Sequence, residues 1–310
     1  MRLTKMRVVT AAGVLALAGG VAALTGAGAA AAAQPATPAH AQAEVSSPHP
    51  GDLYFVSASG EYIMRLPLAG GKPQRVVKVG EVSVTGIAIS GNRLFWVTQD
   101  GESGSLDYVT LNGAAVAHTL VWHLSFSTGL VAADGWLYWA DQNAIGRVRP
   151  NGAQLTRRFV VPPQEFGGGI AEGLATDGKH LFFSRCQNNE IARVGTSGHS
   201  LDLSFIKLPA ESCPQGLAVG NDYIYWSELA SHVGRATLQG TDASGTWLNI
   251  RSNQGPFYLA ADGSSVYWDW GGGAGSPTHV GTARVNGAGL NTSILLGQGA
   301  FLLTSPGANS

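Results

Sequence analysis

Apolar and polar residues alternate in short bursts along this chain, glycine-rich turns separate the bursts, and the whole arrangement repeats. The clearest copy is TGLVAADGWLYWAD (128–141). It returns as TGIAISGNRLFWVT (85–98), EGLATDGKHLFFSR (172–185) and QGLAVGNDYIYWSE (215–228). FYLAADGSSVYWDW (257–270) is a looser copy, and GDLYFVS (51–57) is the latter half of another. The second aromatic of each copy falls at Phe55, Trp96, Trp139, Phe183, Trp226 and Trp268, at gaps of 41 to 44 residues. That period suits a four-stranded propeller blade and is too long for one helix-turn-helix repeat.

Each copy reads as four strands. In the third, 130–133 turns at Asp134-Gly135 into 137–141, and 144–148 turns at Asn151-Gly152 into 157–161. Asp-Gly and Asn-Gly are expected to form two-residue hairpin turns with positive φ at both positions. Comparable turns are expected at Asp177-Gly178, Asp262-Gly263, Asn112-Gly113 and Asn286-Gly287. The adjacent aromatics point to opposite faces of a strand, so they fill both faces of a sheet buried between neighbours.

The first copy lacks its innermost strand, and QGAFLLTSPG (298–307) aligns with QGPFYLAADG (254–263), which supplies one. The expected fold is therefore all-β, a six-bladed β-propeller of four-stranded blades whose first blade is closed by the C-terminal strand. Closure of that kind leaves no open ring edge.

Composition agrees with short strands and many turns: 43 glycines in 310 residues, 45% hydrophobic, and only 13% charged against roughly a quarter in ordinary domains. Arg2, Lys5 and Arg7 precede an uncharged Ala/Gly/Val/Leu run over 8–33, with small-residue cleavage sites at 31–33 or 39–41. This pattern predicts a secretory signal peptide over 1–33, cleaved as late as 43 in the second reading, in preference to an uncleaved anchor. No transmembrane anchor is expected after cleavage, and the chain is expected to be secreted and extracellular. Residues 34–50 read as an Ala/Pro/Ser-rich linker, and 51–310 as a single propeller. Without the three leader cations, 16 basic residues stand against 20 acidic ones, which argues against a nucleic-acid partner. A monomer is expected.

At the aromatic pairs the chain resembles the YWTD family, the class B repeats of low-density-lipoprotein receptors. YWAD (138–141) and YWSE (225–228) come closest, and FWVT (95–98), FFSR (182–185) and YWDW (267–270) depart further. PQGLA (214–218) is similar to the strand start of gluconolactonase-type and NHL-type propellers. The receptor resemblance implies binding of protein ligands. The lactonase resemblance implies a divalent metal over the central channel, held by Glu, Asn and Asp.

A residue present in most blades serves the blade, whereas one present in a single blade can serve a site. Arg65, Arg147, Arg193 and Arg235 recur two residues after Ile or Val in the third strands, and are expected to pair with carboxylates or carbonyls between blades. Unshared residues concentrate after the second strands: Asp100, Glu102, Asp141, Arg185, Glu228, His232, Asp269 and His279. Antiparallel order places these loops at the same channel mouth as Thr85, Thr128, Glu172 and Gln215, which begin the inner strands. Ca²⁺ takes six to eight oxygens, which Glu172, Gln215 and Asp141 could help supply. The alternative is a polar, water-filled mouth.

No nucleophile elbow and no zinc spacing occurs. The catalytic candidates are Glu172, His232 and His279. Two readings of function stay open. The first is a binding module for a protein or glycan ligand, drawing on loop aromatics such as Phe126, Phe166 and Trp270. The second is a metal-dependent lactonase or lyase at the channel mouth. Cys186 and Cys213, the two cysteines, fall in loops of the same face and are expected to form a disulfide after export.

Overall fold

The computed structural model describes residues 51–80, 82–101, 103–125, 127–141, 143–163, 173–228, 231–250, 255–271, 278–296 and 303–304. The leader and linker, and with them Glu102, Phe126, Phe166 and Glu172, lie outside the described residues.

Six antiparallel sheets of four strands account for the described strands, and five of them run in chain order from the inside outward. The remaining sheet places Leu303–Thr304 innermost, followed by Asp52–Val56, Tyr62–Pro67 and Gln74–Lys78. Its register sets Tyr54 opposite Thr304 and Phe55 opposite Leu303. The other innermost strands are Ser83–Ser90, Thr128–Ala133, Leu174–Thr176, Leu217–Val219 and Leu259–Ala261. Each touches the next, and Leu303–Thr304 touches both Leu259–Ala261 and Ser83–Ser90. The ring is closed.

The aromatic pairs explain why the blades stack. Side chains alternate across a strand, so the first aromatic of a pair faces the following blade and the second faces the preceding one. Tyr54 shares an apolar cluster with Trp96, Phe95 with Trp139, Tyr138 with Phe183, Phe182 with Trp226, and Tyr225 with Trp268. Tyr267 then shares one with Phe55, which joins the last blade to the first. All twelve rings are buried. Burying one such ring is worth roughly 1.5–3 kcal/mol, so the six seams dominate the stability of the ring.

An indole needs room on the neighbouring third strand. Gly146, Gly234 and Gly281 lie opposite Trp139, Trp226 and Trp268, and a Cβ on any of them would overlap the indole. Where the second aromatic is a smaller Phe, the partner grows: Ala192 opposite Phe183, and Met64 opposite Phe55. Blade two departs from this rule, with Asp107 opposite Trp96. The Asp107 carboxylate accepts from Ser105 and Thr119 at 2.6 and 2.5 Å.

Two expectations need correction. Only Asp134-Gly135 has positive φ at both positions, +48° and +68°. Asp177 and Asp262 instead cap their turns by accepting from the backbone amides two and three residues on, which stabilises a turn without left-handed aspartate. The hairpin after the third strand in blades three and six closes through Gly152 or Gly287, whose amide donates three residues back. There the asparagine keeps negative φ and glycine alone supplies the left-handed residue. Asn112-Gly113 has positive φ at neither position.

The third-strand arginines follow expectation in part. Arg65 forms a buried ion pair with Asp52 at 2.7 Å within its own blade. Arg147 and Arg235 donate across blades to the carbonyls of Thr196 and Val285 at 3.5 and 2.8 Å. What the sequence did not show is that the guanidinia also lie over aromatic faces. Arg147 covers Trp136 and Phe159, Arg193 covers Phe205, and Arg235 covers Tyr223 and Trp247, all within 4.8 Å.

Candidate functional site

Second strands end, third strands begin and inner strands begin at the same end of the ring, which makes that end the chemically varied one. Cross-strand register shows what becomes of its unshared residues. Thr98 and Ser105 share a hydrogen bond of 2.8 Å in blade two. Arg185 donates to Glu190 at 2.6 Å in blade four, and Ser204 donates to the other carboxylate oxygen. Glu228 stands opposite His232 in blade five. Trp270 stands opposite His279 in blade six, their rings stacked at 4.2 Å and 16°. In blades two, four and six these contacts stay within one blade, and in blade five Glu228 and His232 face each other in register.

The candidate residues sort accordingly. The Asp141 carboxylate accepts from the amide of Asn143 at 2.9 Å, a turn that serves its own loop. Gln215 is half-buried, and its backbone N–H donates to the Ser227 carbonyl at 3.2 Å. His279 shares a 3.3 Å contact with the Ser293 hydroxyl beneath the Trp270 stack. Trp270, expected as a free loop aromatic, is half-buried in that stack. Burial pushes the Glu228 carboxyl up, while the Trp226 indole N–H at 3.0 Å and the charge of His232 pull it back. Among the described residues, no group of three or more His, Cys, Asp or Glu gathers as metal ligands would. Glu172 lies outside the described residues.

Cys186 and Cys213 are joined in a disulfide. One turn of 3-10 helix, Cys186–Asn188, carries the first cysteine, and the Asn189 side chain accepts from the Cys213 amide at 3.0 Å. The bridge ties the loop after a second strand in blade four to the loop that leads to Gln215.

The start of each inner strand lines the mouth, and blade six differs there. In blades four and five a glycine amide, Gly173 or Gly216, donates to a serine hydroxyl on the second strand, Ser184 or Ser227. In blade six the glycine is replaced by Tyr258 and the serine by Asp269. Asp269 is fully buried and accepts from Tyr258 at 2.7 Å and Phe257 at 3.2 Å. Desolvation pushes its carboxyl up to about 8, against the pull of those amides.

Phe257, one residue before, is therefore held from two blades. Its amide donates to Asp269 and its carbonyl accepts from Ser227 of blade five at 3.0 Å. The residue nevertheless remains 37% exposed. The aligned entry positions are Thr85, Thr128, Glu172 and Gln215 in blades two to five, and Phe301 in the C-terminal copy. The substitution of Tyr for Gly and Asp for Ser at aligned positions was the signal available in the sequence.

No family profile matches the chain. Solved structures do. A chain in the nidogen/laminin complex superposes with a TM-score of 0.66 at 15% identity, over 84% of this chain and 99% of that one. Catalytically inactive virginiamycin B lyase from Staphylococcus aureus, solved with quinupristin, gives 0.53 at 20% identity over 75% and 78%. A streptogramin B lyase gives 0.50 at 21% over 69% and 74%. The fold is a YWTD-like six-bladed propeller.

Proposed function

We propose that this protein is a secreted binding module that presents the channel-mouth face of its propeller to a protein ligand, with Phe257 as the central anchor. The observation that carries the reading is the contrast between the fixed backbone of Phe257 and its exposure to solvent. An aromatic held rigidly before binding loses little freedom on complex formation, and such residues recur as interface hot spots. The engagement of Arg185 by Glu190 and of His279 by Trp270 within their own blades supports binding over chemistry, because catalysis needs a base and a charge stabiliser aimed at one point. The nidogen/laminin likeness supports a propeller in a protein complex. The leader pattern and the disulfide support export.

Peptides selected by display on the folded propeller test this reading. Binders to the mouth should lose about tenfold or more on Phe257→Ala, the scale of removing one aromatic anchor. Binders that hold Phe257→Ala as tightly as the parent would place recognition elsewhere.

A second reading, a metal-assisted lactonase or lyase at the same mouth, rests on Glu172 and Gln215 as rim oxygen donors and on the two lyase likenesses. Ca²⁺ is the ion it would take.

A further inference from the structure

A second surface lies on the outer flank of blades two and three. The outermost strand of blade two, His118–Leu124, pairs with Ser103–Thr110 until the register shifts: Ser105 faces Trp122, and Gly104 faces Leu124. His123 is the extra residue of this bulge and takes φ +58°, a conformation that a residue with a Cβ adopts only when its surroundings hold it there. Trp122 and His123 both turn to solvent in consequence. Trp122 is 63% exposed, and no other described large hydrophobic exceeds half.

Arg157, on the outermost strand of blade three, holds the bulge in place. Its two terminal nitrogens donate to the carbonyls of His123 and Trp122 at 2.8 and 2.7 Å. Among the described residues no carboxylate pairs with this guanidinium. A full positive charge therefore sits beside an exposed indole on a fixed backbone. Folding gains nothing from that display, since an apolar ring contributes to stability only when it is removed from water.

The geometry points to Trp122, with His123 and Arg157, as a binding position for an acidic glycan, a polysaccharide of uronic-acid residues. The bulge interrupts the strand edge, which blocks pairing with a peptide or with a second copy of this chain. One isolated ring is not the cluster of anchors that a protein interface uses. A pyranose has a flat C–H face that stacks on an indole, and hydroxyl edges that imidazole and guanidinium N–H groups can meet. The charge of Arg157, which meets no carboxylate among the described residues, selects a carboxylated sugar over a neutral one.

Affinity electrophoresis of the full chain through gels containing polygalacturonate or dextran decides the matter. Polygalacturonate should retard the parent protein and Phe257→Ala equally. It should retard Trp122→Ala about tenfold more weakly, while Trp122→Tyr keeps most of the retardation and dextran has no effect. Trp122→Ala should melt with the parent, because the removed side chain is mostly solvated. Three results would overturn the assignment: no retardation of the parent, equal retardation of Trp122→Ala, or dextran acting as well as polygalacturonate. Loss on Phe257→Ala alone would move glycan binding to the mouth.

Discussion

Tyr267 of the sixth blade and Phe55 of the first are buried in one apolar cluster, the seam at which the ring meets its own beginning. Every other seam joins blades that follow one another along the chain. This one also depends on Leu303–Thr304, which pairs with the strand that carries Phe55.

Removing residues 299–310 should therefore expose the inner edge of blade one and abolish cooperative unfolding. Phe55→Ala leaves that strand in place and should cost about 3–5 kcal/mol, the usual scale for a buried Phe. Denaturant titration separates the two. A truncated protein that unfolds at the parent midpoint would sink the closure account.

Gly234→Ala should destabilise by about 2 kcal/mol or more, because its methyl group enters the space of the Trp226 indole. Pairing it with Trp226→Phe should recover part of the loss, since blade four already combines Phe183 with Ala192. A double-mutant cycle with zero coupling would show that the two residues do not constrain each other.

Asp269 gives stability a pH dependence of definite sign. Its carboxyl titrates at about 8 when folded, and near 4 when unfolded. Between those values the folded chain holds a proton that the unfolded chain has released, so stability is greatest at the acid end and falls as pH rises toward 8. Asp269→Asn cannot titrate and should flatten that slope in urea midpoints measured from pH 5 to 8. An unchanged slope would assign the pH dependence to other groups.

Reduction of the Cys186–Cys213 bridge, or its replacement by serines, should lower stability by roughly 3–4 kcal/mol for its separation of 27 residues. Alkylation followed by mass measurement should find no free thiol in the folded protein. Two alkylated cysteines would remove the bridge.

Millimolar Ca²⁺ or Mg²⁺ separates the two readings of the mouth. A ligand bound only by the folded state raises the melting temperature with its saturation. On the binding reading, neither ion shifts the melt and simple lactones are not hydrolysed. If Ca²⁺ stabilises the protein and Glu172→Ala removes both that gain and lactone turnover, the enzyme reading replaces it.

The blade pattern was legible because it rests on local alternation: aromatic pairs on a strand of period two need no knowledge of tertiary contacts. The joining of 303–304 to the first blade was legible for the same reason, as a displaced copy of the repeat. The arginine stacking was not, because bulges at the third-to-outer strand register decide which ring each guanidinium meets. The turn at Asp262 was misread because an aspartate that accepts from its own loop resembles, in sequence, one that adopts left-handed φ. At the mouth, Asp269 stood out as an unshared residue, but its role depends on the backbone amides of Phe257 and Tyr258 on the adjacent strand entry, which the sequence does not display. Phe257 escaped notice because exposure is a property of the ring of blades and not of the strand that carries it.

The relay of aromatics from each blade to the next carries no information about how many blades there are. A first aromatic needs a second aromatic on whichever sheet arrives beside it, and any copy of the unit offers one. Duplicating or losing a whole copy would therefore leave every remaining contact of this kind chemically satisfied. The number six resides in how many copies the gene encodes and in the angle at which inner strands meet, which makes copy number the property of this fold most open to change by recombination.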